Sequence, residues 1–153
     1  MIKVLVTVGT TPFDELIRVL DKEVEGVNFF FQIGNGKYRP QYSAYADFVE
    51  NIRDIYAQYD LIITHAGAGS VYYLLENGHK CLVIPNLIRA DKHQQELGDY
   101  LKSENLASVS DLDDLDLVNL RKEFMQVVDL NHRAYDPERF FMFDELLRLA
   151  RLK

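Results

Sequence analysis

The chain has a single cysteine, Cys81, so no disulfide can close within it, and the apolar run Cys81-Leu82-Val83-Ile84-Pro85 makes this thiol a small core residue. Basic side chains are also scarce: 17 Lys and Arg face 24 Asp and Glu, a net charge of −7. Nucleic acid is thereby excluded as a partner, because phosphate backbones need a dense Lys/Arg surface. Small anions are not excluded, since backbone N–H groups at a helix N-terminus hold them without net positive charge. No segment approaches the roughly 18 uninterrupted apolar residues of a membrane span. The apolar start, Met1 to Thr10, is brief and lacks a small-residue cleavage site, so it reads as a strand and places the chain in the cytoplasm. Also missing are a Cys/His pair at zinc-ligand spacing, the Lys-Ser/Thr of a Walker A loop, internal repeats and linkers.

What is present is 153 residues with 48% apolar content, enough for one continuous core in one domain. Ile2 to Val8 is a near-continuous β-branched run, the pattern of a strand buried on both faces. Thr11, Pro12 and Asp14 then read as an N-cap, a first helical proline and a first-turn acid, with Phe13, Leu16, Ile17 and Leu20 on one helical face. Further strands are expected at Val27 to Ile33, Ala44 to Val49, Leu61 to Thr64, Cys81 to Pro85 and Leu106 to Val109. Helices are expected at Ile52 to Tyr59, Ser70 to Leu75 with Gly78 as its stop, Asp91 to Ser103, Leu115 to Val128 and Pro137 to Leu152. Such alternation predicts a doubly wound, mostly parallel α/β sheet, Rossmann-like, with ligands beyond the carboxyl ends of the strands.

The glycine-rich turns fall at those ends. Gly9-Thr10-Thr11 follows the first strand, and Gly34-Asn35-Gly36 the second. Each is explained by a tight turn alone, or by backbone amides approaching a phosphate. His65-Ala66-Gly67-Ala68-Gly69-Ser70 is the stronger signal, because packing does not require two glycines where a strand end meets a helix start. His65 is then either a structural imidazole or one beside a phosphate. Asp91-Lys92-His93-Gln94 reads as a capping box, and equally as a helix start that offers Asp91 and Gln94 to sugar hydroxyls. Asp111, Asp113, Asp114 and Asp116 fit a solvated cap before a helix better than a metal site. The last helix, over about 137–152, carries Phe140, Phe141, Phe143 and several leucines, more apolar surface than one stripe, and is a candidate for docking a partner.

Taken together, Val6 to Asp14, Asp60 to Ser70, Val83 to Asn86 and Asp91 to Gln94 resemble the C-terminal, donor-binding domain of the family 28 glycosyltransferases, with the GT-B fold. The chain looks most like the small soluble subunits of split transferases. These include the subunit that completes dolichol-linked chitobiose and bacterial subunits of capsule and exopolysaccharide galactosyl or glucuronosyl transfer. The resemblance implies a UDP-sugar donor held without metal or other cofactor, a membrane-anchored partner subunit and a lipid-linked saccharide acceptor. It implies an enzyme, recruited to the inner face of the membrane by that partner. Under it, Gly9, Thr10, Thr11, Gly34, Gly67, Ala68, Gly69 and Ser70 cradle the donor, Asp91 and Gln94 lie near its sugar, and His65 and His93 are the candidate catalytic groups. Where many relatives have a ribose-binding glutamate, Tyr73 stands here, with Glu76 nearly one helical turn further on.

Overall fold

The computed structural model describes residues 1–87 and 92–133. Asp91 and the segment expected to form the last helix lie outside them. Six parallel strands form one sheet: β1 Ile2–Thr7, β2 Val27–Gln32, β3 Ala44–Ala46, β4 Leu61–Thr64, β5 Cys81–Val83 and β6 Ser108–Val109, in the order β3-β2-β1-β4-β5-β6. The order reverses between β1 and β4, which opens a crevice at the carboxyl ends of those two strands.

Both faces are covered, as the unbroken apolar runs require. Val4, Val6 and Val8 pack with Leu16, Ile17 and Leu20 of α1 (Asp14–Leu20) and with Leu120, Phe124 and Val127 of α4 (Leu120–Asp129). On the opposite face Leu5, Ile62 and Val83 meet Tyr56 of the 3₁₀ helix Ile52–Gln58, Val71 and Leu74 of α2 (Ala68–Glu76), and Leu97 and Leu101 of α3 (His93–Ser103). Gly98 lets α3 approach the end of β5: a Cβ there would sit 2.9 Å from Pro85 Cγ.

Several element starts differ from expectation, among them β6, which begins at Ser108, α3, which begins at His93, and three further helices. Helix α1 begins at Asp14, not at Pro12, with Phe13 as its N-cap residue. The Pro12 carbonyl is taken by the Asn86 side chain at 3.2 Å, and the Phe13 ring is buried in the core, so the chain stays out of the helix until Asp14. Helix α2 begins at Ala68, so Ser70 lies within its first turn and Gly67 occupies the N-cap position. Helix α4 begins at Leu120 after a 3₁₀ turn, Leu112–Asp114. Asp116 accepts from the N–H groups of Val118 and Asn119, each at 3.2 Å, and that side-chain turn competes with helix over those residues. At its other end α2 stops where expected. Gly78 has φ +69°, its N–H donates to the Leu75 carbonyl and that of His79 to Leu74, closing a Schellman motif.

Candidate functional site

Three glycine turns meet at the carboxyl rim of the sheet. Gly9 leaves β1 at φ +64° and Gly34 leaves β2 at φ +60°, both in the left-handed region open to glycine. The two touch: a Cβ on Gly34 would lie 2.3 Å from the Gly9 carbonyl oxygen. The third turn closes on the first through His65. Its Nε2 lies 3.4 Å from where a Gly9 Cβ would be, and its Cε1 would be 2.5 Å from a Cβ on Gly67. The half-buried imidazole therefore sits between the β1 and β4 turns, at the point where the strand order reverses. Asn35 adds a tie, its side-chain amide donating to the Thr10 carbonyl at 3.0 Å.

The first turn is fixed from below by Gln32, a side chain to which the sequence reading assigns no role. Its Oε1 accepts from the Gly9 N–H at 3.2 Å and from the Thr7 hydroxyl, and its Nε2 donates to the carbonyls of Gly9 at 3.1 Å and Asp47 at 2.9 Å. Gly9 thus spends its own N–H on Gln32, and what it offers a ligand is room, not a donor. Nor does α1 present a bare N-terminus to this rim. Asp14 and Glu15 occupy its first turn, and Asp14 accepts from the Lys37 N–H at 3.1 Å. This side of the rim is therefore lined by loop backbone and not by a bare helix end.

The helix end is supplied by α2. Its N-cap, Gly67, has no side chain to cap with, and the first intrahelical bond runs from the Val71 N–H to the Gly67 carbonyl at 3.0 Å. The N–H groups of Ala68, Gly69 and Ser70 therefore have no acceptor inside the helix. Gly69 is exposed, with open space where a Cβ would point. A turn of this kind binds anions through its partial positive charge and aligned donors.

On the far side of β4, His93 is the first residue of α3 and is half-buried. Gln94 is buried, and its Oε1 accepts the Asn86 N–H at 2.7 Å. On the described residues that oxygen is engaged by the loop after β5, and Gln94 acts there through Asn86. Asn86 in turn binds the Pro12 carbonyl and ties the β5 loop to the β1 loop. Asn86 belongs to the motif read from the sequence, but nothing in a one-dimensional pattern shows that its amide crosses to Pro12.

Tyr73 does not face the glycine turns. The Arg53 guanidinium lies 4.2 Å from the centre of its ring and the Tyr56 ring 5.9 Å away, so it is packed against the 3₁₀ helix. Burial of Cys81 pushes its thiol up to about 12, the inert character expected of a core cysteine. Of the acidic run, Asp116 is spent on its own turn, where the hydrogen bond from the Asn119 amide leads the effects that hold its carboxyl below the usual range.

Comparison with known proteins agrees with the fold. The model of the glycosyltransferase family 28 C-terminal domain matches residues 3–141. The human UDP-N-acetylglucosamine transferase subunit ALG13 is 33% identical over 116 residues, covering 66% of this chain and 10% of that protein. The Yarrowia lipolytica protein of the same name is 26% identical over 163 residues, covering 90% of this chain and 79% of the relative. A Thermosipho melanesiensis UDP-N-acetylglucosamine–N-acetylmuramyl-(pentapeptide) pyrophosphoryl-undecaprenol N-acetylglucosamine transferase is 32% identical over 114 residues, with 73% and 34% covered. The chain thus spans only a tenth of the human protein and about a third of the Thermosipho one. Among solved structures, Acinetobacter baumannii MurG superimposes with a TM-score of 0.63 at 21% identity, covering 84% of this chain and 41% of MurG. The solution structure of ALG13 gives 0.58 at 16% identity, covering 95% and 96%, and both carry the same GT-B half. By its strand order, its turns and a family match that runs over most of its length, the chain belongs to glycosyltransferase family 28, as a C-terminal domain of that family.

Proposed function

We propose that this rim binds a UDP-sugar, and that the chain is the donor-binding subunit of a two-component inverting hexosyltransferase. The observation that carries the reading is the convergence of the Gly9, Gly34 and Gly67 turns with the α2 N-terminus on the crevice between β1 and β4. In a chain of net charge −7, such backbone is the means of holding a diphosphate. UDP-GlcNAc is the first donor to test, since the relatives' names carry it. UDP-galactose and UDP-glucuronate follow, as donors for capsule or exopolysaccharide assembly.

In the proposed reaction an acceptor hydroxyl attacks the anomeric carbon from the face opposite the diphosphate. The bond to the phosphate oxygen breaks, its electron pair leaves with UDP, and the configuration inverts. The N–H groups of Ala68, Gly69 and Ser70 stabilise the charge that grows on the leaving oxygen, and His65, between the turns, hydrogen-bonds the same group. The lipid-linked acceptor and the base that takes its proton are assigned to a membrane-anchored partner subunit.

Calorimetric titration with UDP and the three UDP-sugars tests the binding step. Saturable binding that Gly67→Val abolishes supports it, because a side chain at that position would strike the His65 ring. One observation favours a second reading, a non-catalytic stabilising subunit: Tyr73, in place of a carboxylate, is turned towards Arg53 and Tyr56. Turnover by the reconstituted pair that survives His65→Ala and Gln94→Ala would favour that reading.

A further inference from the structure

We propose that Gln32 is a positioning residue for the diphosphate, a side chain that aims the Thr10 N–H into the site by holding the Gly9 peptide. The proposal rests on the reading of the rim given above. Gln32 is 3% exposed and ends a strand whose inner positions are Phe29, Phe30 and Phe31. A buried amide at such a place costs stability unless its donors and acceptors are filled, and here they are filled by groups of β1 and of the segment after β3.

The pairing has a specific form. Backbone pairing between β1 and β2 ends with the Val8 N–H on the Gln32 carbonyl at 3.3 Å. One residue further on, the Gln32 side chain takes over the ladder, accepting from the Gly9 N–H and donating to the Gly9 carbonyl. It thus stands in for the next residue of a β-strand where β2 has already turned away at Gly34. The Gly9 carbonyl and the Thr10 N–H belong to one trans peptide and point in opposite directions. With the carbonyl held against Gln32 Nε2 and Gly34, the Thr10 N–H faces away from the β2 turn. Without the amide, a glycine at φ +64° has little to stop that peptide from rotating its carbonyl towards a bound phosphate, where it would repel.

The test compares UDP with uridine, which lacks the phosphates, on the wild-type chain and on Gln32→Met, with affinities taken from NMR titration. The ratio of the two affinities is independent of the folded fraction, so simple destabilisation leaves it unchanged. We expect Gln32→Met to weaken UDP about tenfold, roughly one hydrogen bond's worth, and to leave uridine within about twofold. Equal losses for both ligands, or no loss for UDP, would overturn the proposal. If the methionine variant does not fold, Gln32→Asn keeps the polarity but is too short to span to Gly9, and the same fall in the ratio is expected. A wild-type chain that fails to bind UDP would refute the diphosphate reading itself, which is a different result from a wild type that binds and a variant that binds equally well.

Discussion

A methyl group at Gly34 has nowhere to go: it would sit 2.3 Å from a backbone oxygen, on a residue held at φ +60°. Backbone cannot yield as a flexible side chain can. Gly34→Ala is therefore expected to cost at least about 2 kcal/mol in urea unfolding, and to weaken UDP binding by displacing the Gly9 carbonyl. Two histidines set a pH dependence. Burial holds His79 and His132 below their ordinary value of 6.5, with Lys80 adding to the effect on His132. In the unfolded chain they take up protons first, so stability is full above 6.5 and falls as pH drops below it towards the lowered folded values. Unfolding midpoints measured from neutral to mildly acidic pH should show this decline, and replacing both histidines by Gln should flatten it. None of this is legible in sequence, because His79 and His132 look like any solvent-exposed histidines until packing is known. The glycines were legible as turns. Their mutual contact was not, since Gly9, Gly34 and Gly67 are brought together only by the order of the strands.

At the scale of elements, α2 gives a clean separation of conformation from space. Gly78 has φ +69° and nothing within 4 Å of where a Cβ would be. Gly78→Ala should thus cost about 1 kcal/mol through the backbone alone, measured by chemical denaturation, with UDP affinity unchanged because Gly78 is at the far end of the helix from Gly67. Strands β1, β2 and β4 were readable since their apolar runs are bounded by glycine or aspartate, and Leu61–Thr64 has the expected limits. Helix starts were less so. Thr11-Pro12 has the composition of a helix entry, yet the Asn86 amide claims the Pro12 carbonyl from 74 residues away. Likewise Asp116 looks like a first-turn acid, and instead it makes a turn that holds the helix back to Leu120. A local pattern reports what a segment prefers, and these two cases record where a distant or competing hydrogen bond outweighs it.

At the scale of the molecule, the sheet divides into an apolar face under α1 and α4 and a second face whose carboxyl end turns polar. There the in-register residues Gln32, Thr7 and Thr64 follow the apolar Phe30, Leu5 and Ile62 on the same face. That polar row underlies the crevice between β1 and β4, and the backbone donors above it are what the proposed binding of a diphosphate by an acidic protein rests on. In the proposed transferase, the acceptor's half of the cleft comes from the partner. The central claim is that the glycine rim holds a diphosphate, and amide chemical shifts followed during UDP titration test it residue by residue. The account expects saturable shifts concentrated at Thr10 and Thr11, at Gly34 to Gly36 and at Gly67 to Ser70. Shifts confined to the amino end of the sheet, or none at millimolar UDP, would contradict it.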